Sequence, residues 1–375
     1  MRIVFIEGDL NNAISGFRKD LVEQLTIRGY EVILVGFKAY NNEFGEGDKK
    51  NTSLQILDLG QLSSNPIKSI RSIVRLFFFL LRIKPKLCIA FNLRPILFLG
   101  VVNFFLKIPS IATITGTSTI SEGKAHNTII KFLTGFLLNF YKVVFFQNTN
   151  DKQLFTDIGL GGVKVKVVPG SGVDTKYFSK ECTRDFKDHE KYSDFLLVSR
   201  IIKQKGILEY IEAARQIKKT YPNIIFGILG PFYSNSKGNN TISPEFIEKA
   251  EKEGIIKYFG FSNNVKEFML ASKCIVLPTY GEGMSNTLLE AASLERPILA
   301  SNVSGCKEIV DHLVTGYLFE KQSVSALTDV LRKFLSLTED DKEKMGELAR
   351  KKIIIQFDKS IVINSYLEEV RLIIK

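Results

Sequence analysis

Cysteine and histidine are scarce in these 375 residues, and their positions exclude one class at once. The four cysteines, Cys88, Cys182, Cys274 and Cys306, lie far apart and there are only three histidines, so no close ligand pair for a structural zinc forms. No apolar run suffices to cross a bilayer. Neither Leu76–Leu81 nor Pro95–Leu106 reaches the ~20 residues that a spanning helix needs. The start, MRIVFIEGDL, has too short an apolar run for a signal peptide and enters a strand directly, which points to a reducing cytoplasm. The first loop has Gly8 and Gly16 but no G-x-G-x-x-G, so a dinucleotide fingerprint is absent there. No Asp-x-Asp occurs that would hold a divalent cation. The net charge of +11 invites a nucleic-acid reading, yet no recognised binding motif such as a helix-turn-helix accompanies it.

Acid is what the first half lacks most. Residues 1–170 carry 21 Lys+Arg against 12 Asp+Glu, while the remaining 205 carry 30 against 28. From Leu59 to Ser121 there is no Asp or Glu, but there are eight bases: Lys68, Arg71, Arg75, Arg82, Lys84, Lys86, Arg94 and Lys107. Four of these belong to a predicted helix, PIKSIRSIVRLFFFLLRI. At about 100° per residue, Lys68, Arg71, Arg75 and Arg82 fall within about 60° of one another, flanked by Phe78 and Phe79. Ile70, Ile73, Val74, Phe77, Leu80 and Leu81 take the other side. A basic stripe bordered by Phe reads as a peripheral surface for anionic lipid, or else as a solvated basic face with two half-covered rings.

What is present is ordinary globular composition, 45% hydrophobic and 24% charged, with enough length for two domains. RIVFIE, a helix FRKDLVEQLTIRG and EVILVGF open a strand–helix–strand unit. Residues 39–66 are polar and turn-rich, a variable connection. Strands KLCIAF, PSIATIT, KVVFFQN and VKVVPG continue the first half, and the charged, unpatterned stretch 176–194 reads as a linker. The second half repeats the alternation with FLLVSR, IIFGILG, IIKYFGF, CIVLPT and PILAS. Two such runs predict two similar α/β lobes with a cleft between them and ligands at the carboxyl ends of strands. A last helix, DKSIVINSYLEEVRLIIK, suits packing on either lobe.

The stretch with most chemistry is PTYGEGMSNTLLEAASLERPILAS, Pro278 to Ser301. Glu282 lies in a turn and Glu290 inside the following helix, with Gly-Met-Ser-Asn-Thr between them. The unpaired N–H groups and positive dipole end of that helix suit a phosphate. Flanking acids then suit a diphosphate with hydroxyls at both ends, as in a nucleotide sugar. A capped helix with Ser285 as N-cap and Glu290 facing solvent is the plainer alternative. Arg200 closes FLLVSR and Lys205 follows in RIIKQKG before a helix, a plausible diphosphate clamp in the same lobe.

SRIIKQKG, PTYGEGMSNTLLEAASLERPILASNVSGCKEIV, FQNTND and VVPGSGVD together resemble the retaining glycosyltransferases of family 4. More closely, they resemble the bacterial branch that builds capsule, O-antigen and other lipid-linked oligosaccharides. The resemblance implies a GT-B fold: an acceptor-binding Rossmann-like lobe (1–175), the linker, a nucleotide-sugar lobe (195–357), and a C-terminal helix (358–375) that packs back on the first lobe. It implies that Arg200 and Lys205 bind the donor diphosphate, that Glu282 bonds the donor sugar and that Glu290 bonds the ribose. Backbone at Gly283, Met284, Ser285, Asn286 and Thr287 would hold the phosphate and sugar end. In the first lobe, Ser15 and Gly16 stand where many relatives have a Gly-Gly pair. Gly116 and Thr117, with His126 and Asn148, are the candidates there for a sugar or acceptor contact. Tyr258 to Phe261 is the segment that would hold the base.

The implied reaction is metal-independent transfer with retention from a nucleotide sugar, with no further cofactor. The donor is expected to be a UDP-sugar and the acceptor a polyprenyl-diphosphate-linked saccharide, met at the inner face of the plasma membrane and without nucleic acid. A GDP-sugar donor, a soluble acceptor, or a non-catalytic sugar-nucleotide binder are the alternatives.

Overall fold

The computed structural model of the chain describes residues 1–10, 16, 18–37, 55–58, 66–116, 126–157, 160, 162–181, 192–232 and 240–375. They divide into two units, Met1–Ser171 with Ser360–Lys375, and Gly172–Lys359.

The first unit alternates β1 (Arg2–Glu7), α1 (Lys19–Ile27), β2 (Glu31–Gly36), β3 (Gln55–Asp58), α2 (Pro66–Ile83), β4 (Leu87–Phe91), α3 (Leu93–Leu106), β5 (Ser110–Ile114), α4 (His126–Leu138), β6 (Val143–Phe146), α5 (Thr149–Thr156) and β7 (Lys164–Val167). All strand pairs are parallel, in the order β3-β2-β1-β4-β5-β6-β7. A parallel sheet is covered on both faces, which is why RIVFIE and LCIAF read as nearly unbroken apolar runs. Val4 and Ile6 face a core with Leu76, Leu80 and Leu99, while Ile3 and Phe5 face Leu21, Leu25 and Tyr366. The strand β3 falls inside the stretch 39–66 that sequence alone reads as irregular.

In α2 the structure turns the expected faces. Leu76 and Leu80 are buried, and Ile73, Phe77, Phe79 and Ile83 pack beside them, so Phe79 belongs to the core side rather than to an exposed border. Ile70, Val74 and Leu81, expected inside, are exposed with Phe78. The helix is apolar over far more than half its circumference, and periodicity cannot say which part of so wide a face a neighbour will cover.

The second unit runs β8 (Ser193–Val198), α6 (Ile207–Lys218), β9 (Phe226–Leu229), α7 (Pro244–Lys252), β10 (Lys257–Tyr258), α8 (Val265–Leu270), β11 (Ser272–Leu277), α9 (Asn286–Ser293), β12 (Ile298–Ser301), β13 (Gly316–Phe319), α10 (Val324–Leu335) and α11 (Glu339–Gln356). Its sheet is parallel, in the order β10-β9-β8-β11-β12-β13. The strand β13 has no counterpart among the segments expected from sequence. The chain enters this unit at Gly172, ahead of the 176–194 stretch, and residues 193 and 194 already belong to β8.

The last helix, α12 (Lys359–Ile374), packs on the first unit's sheet. Tyr366 is buried with its ring 4.6 Å from Phe145 and 5.9 Å from Phe91, and its hydroxyl shares a 2.5 Å hydrogen bond with Thr113. Lys164 and Lys166 on β7 pair with the buried Glu369 at 2.7 and 2.6 Å. The two lysines hold the Glu369 carboxyl below its ordinary range despite burial that opposes them.

Candidate active site

In the second unit β8 and β11 are neighbours, but the chain proceeds from β8 toward β9 and β10 on one side and from β11 toward β12 and β13 on the other. The carboxyl ends of β8 and β11 therefore flank a topological switch point, where open α/β sheets bind ligands. Arg200 and Lys205 follow β8; Glu282 and α9 follow β11. Arg200 is exposed on this edge.

Backbone contact locks the two loops together. Lys203–Lys205 form a single 3-10 turn that ends at Gly206, whose φ is 72°. A Cβ on Gly206 would lie 2.0 Å from the carbonyl oxygen of Pro278, so only glycine permits this approach. The Tyr280 N–H and the Thr279 hydroxyl both donate to the Gln204 carbonyl, at 2.9 and 3.2 Å. With the loops so fixed, Lys205 Nζ donates to Glu282 Oε1 in a tight, part-buried ion pair. Glu282 is walled from behind by Gly305, where a Cβ would sit 2.8 Å from the Glu282 Cβ.

Ser285 caps α9 by accepting from the Leu288 N–H at 3.4 Å, and its own N–H donates to Gly305 at 3.1 Å. Gly283 precedes the cap; Asn286 and Thr287 form the first helical turn, whose N–H groups have no intrahelical acceptor. The Met284 side chain is buried in the core, so only its backbone can serve a ligand. Glu290 is half-buried rather than facing solvent, and burial pushes its carboxyl up from 4.5 to about 7. Among the described residues no ion pair or hydrogen bond to that carboxyl occurs. In the segment 258–261, the Tyr258 hydroxyl donates to Gly230 at 2.8 Å and Phe261 stands exposed.

The first unit has its own switch point, between β1 and β4, and sequence reasoning passed over the residues there. Buried Glu7 ends β1, accepts from Asn92 Nδ2 at 3.2 Å and pairs with Arg18 Nε at 3.5 Å. Arg18 also donates to Ser171 at 2.7 Å and lies 4.3 Å over the Phe91 ring. Asn92 has φ 68° and ψ 151°, a region almost reserved for glycine, and is held there by Glu7, by Thr115 at 2.5 Å and by the Thr113 carbonyl at 3.2 Å. Burial raises Glu7 to about 7, with Arg18 opposing the shift. The signal was available: an acid closing an otherwise apolar central strand is rarely without a partner.

Of the other first-unit candidates, Gly16 leads into α1 and Gly116 follows β5 with φ 146°. Ser15 and Thr117 lie outside the described residues; His126 begins α4, and its side chain lies outside them too. Asn148 is buried as the N-cap of α5, accepting from the Asp151 N–H at 2.7 Å and donating to the Asp151 carboxylate at 3.0 Å.

Residues 179–352 match the family described as "Glycosyl transferases group 1". The second unit is a group 1 glycosyl transferase domain. The chain is 24% identical over 270 residues to the N,N'-diacetylbacillosaminyl-diphospho-undecaprenol alpha-1,3-N-acetylgalactosaminyltransferase of Campylobacter jejuni, covering 68% of this chain and 67% of that one. It is 27% identical over 217 residues to the UDP-Gal:alpha-D-GlcNAc-diphosphoundecaprenol alpha-1,3-galactosyltransferase of Escherichia coli, covering 55% and 53%; the match thus spans about half of that relative's length. In fold, it is similar to sucrose-phosphate synthase from Thermosynechococcus elongatus, with a TM-score of 0.81, 15% identity and coverage of 99% and 98%. The architecture is thus of GT-B type, two Rossmann-like α/β units.

Within the glycosyl transferase domain, Lys205 and the α9 N-terminus supply positive charge and N–H donors on the same sheet edge. Such preorganised groups stabilise charge that builds on a departing phosphate. Glu282, tied to Lys205, places a carboxylate beside them, and Glu290 adds a desolvated one further along the helix.

Proposed function

We propose that this chain is a retaining glycosyltransferase. It transfers a hexose or N-acetylhexosamine from a nucleotide sugar, a UDP-sugar, to a polyprenyl-diphosphate-linked saccharide in surface-polysaccharide synthesis. The observation that carries this reading is the Lys205–Glu282 pair beside the capped start of α9 at the switch point. The activities named for the relatives support the lipid-linked acceptor and, for one of them, the UDP-sugar.

In this reading Arg200 and Lys205 take the donor diphosphate, together with the first-turn amides from Gly283 to Thr287. Leaving-group charge then develops against fixed cations, so the step needs no metal. Glu282 orients the sugar hydroxyls and Glu290 the ribose. Attack on the leaving-group face, with a phosphate oxygen taking the acceptor proton, gives retention. Transfer occurs at the inner face of the plasma membrane, where such an acceptor resides.

A thermal-shift panel of UDP- and GDP-sugars, followed by donor hydrolysis in EDTA, tests the reading. Stabilisation by one UDP-sugar and hydrolysis abolished by Lys205→Ala and Glu282→Ala are expected. A protein stabilised by no nucleotide sugar would refute it, and one stabilised only by GDP-sugars would move the donor.

A further inference from the structure

The exposed face of the first unit built by α2, α3 and α4 is more apolar, and wider, than the helix α2 alone. Phe78 is 61% exposed on α2, Phe105 65% on α3 and Phe132 67% on α4. Phe78 and Phe105 are not scattered residues, and Phe132 stands one helical turn from exposed Phe136 on α4. A ladder of edge-to-face rings runs across the three helices: Phe78 to Phe77 (5.6 Å), Phe77 to Phe105 (6.3 Å), Phe105 to Phe104 (5.0 Å), Phe104 to Phe140 (5.5 Å) and Phe140 to Phe136 (5.4 Å). A contiguous exposed apolar patch of this kind marks an interaction surface.

Its charge says what covers it. On α2 the exposed apolar line Ile67, Ile70, Val74, Phe78 and Leu81 lies directly beside the exposed basic line Lys68, Arg71, Arg75 and Arg82. Exposed Lys107 ends α3 next to the Phe104–Phe105 pair. Across the whole span from residue 59 to residue 150 there are eleven bases and one acid, Glu122. A two-fold dimer through this face would set like charges against one another. A sheet of anionic headgroups over hydrocarbon meets both lines at once, because rings enter the acyl boundary while the bases stay at the phosphates. No helix among the described residues is long and apolar enough to cross a membrane, so the contact is interfacial.

We infer that the α2–α3–α4 face of the first unit is a docking surface for an anionic bilayer, with Phe78, Phe105 and Phe132 entering it. This extends the proposed transfer to a lipid-linked acceptor by naming the surface that brings the chain there, and for its purpose it rests on that reading.

The chain has no tryptophan, so Phe105→Trp places a single reporter on the patch. The full chain carrying it is mixed with vesicles of phosphatidylethanolamine and phosphatidylglycerol, and with vesicles of phosphatidylcholine alone. Expected are a blue shift and quenching by brominated acyl chains with the first vesicles only, weakened by salt. Flotation of the otherwise unaltered chain should fall about tenfold in Arg71→Gln/Arg75→Gln and further in Phe78→Ser/Phe105→Ser. Thermal melting and far-UV circular dichroism verify that each variant is folded. Flotation and UDP binding are separate readouts, so loss of the donor reading would leave this result intact, and the reverse. Equal binding to phosphatidylcholine, no binding, or a solution dimer that dissociates in Phe78→Ser/Phe105→Ser would overturn the inference.

Discussion

Lys205 and Glu282 meet across two loops that leave neighbouring strands of one parallel sheet, and Gly206 is what lets those loops come close enough. The pair holds a cation and an acid in one place before any donor arrives. Removing either partner is expected to release the other. Lys205→Ala and Glu282→Ala should each lower kcat/KM by about 10²–10³, and the double variant by little more than the worse single one. Independent, multiplying effects in steady-state kinetics would mean that the ion pair is incidental.

Gly206 carries that geometry through its backbone. Gly206→Ala places a Cβ on the Pro278 carbonyl at a positive φ, so a loss of about 2 kcal/mol or more in stability is expected, with weaker nucleotide binding. Gly281, in the same site, has nothing within 4 Å of a Cβ. Gly281→Ala should change the stability measured by urea unfolding by less than about 0.5 kcal/mol, which separates strain from mere proximity.

Glu290 makes the second unit pH-sensitive. Its carboxyl is raised from 4.5 to about 7, so the folded protein keeps a proton that the unfolded chain has released. Stability therefore falls as pH rises from about 4.5 through 7, and Glu290→Gln should remove this part of the slope, gaining on the order of 1 to 3 kcal/mol at about pH 8. Ribose hydroxyls bonded to the ionised form would strengthen UDP binding over the same rise. Titration calorimetry should show that trend in the unaltered chain and a flat, weaker profile in Glu290→Gln.

Arg18 compensates the buried Glu7 in the first unit, whose carboxyl is also raised to about 7. Arg18→Met leaves that carboxyl without its counter-charge. Because the carboxyl can then bind a proton instead, the expected pH-dependent cost is about 1.4 kcal/mol at about pH 8, vanishing below about pH 6 where Glu7 holds its proton in either form. Glu7→Gln/Arg18→Met should recover part of the loss in urea unfolding. A cost that does not vary with pH would place the role of Arg18 in packing on Phe91 instead.

The second-unit site was legible because its residues are close in sequence to strand ends that announce themselves. Central parallel strands are apolar throughout, so IVLPT and LLVSR mark where loops begin, and Glu282, Lys205 and the Ser285 cap follow at short range. That Glu7 needs a partner was legible, but which residues supply it was not, since Arg18, Asn92 and Thr115 come from three separate loops and only β1–β4–β5 adjacency unites them. The capping of α5 by Asn148 is the opposite case: its partner, Asp151, is three residues away, so short-range order alone sets it.

Local order alone determined that two α/β units alternate strand and helix, and that a Ser285-capped helix start stands between two glutamates, because burial on both faces and helix-end chemistry act over a few residues. Tertiary packing decided which third of α2 is covered, where the last helix lies, and that phenylalanines from three helices join into one exposed ladder. Those outcomes depend on which neighbour wins a given apolar surface, a competition among distant segments that no single stretch of chain records.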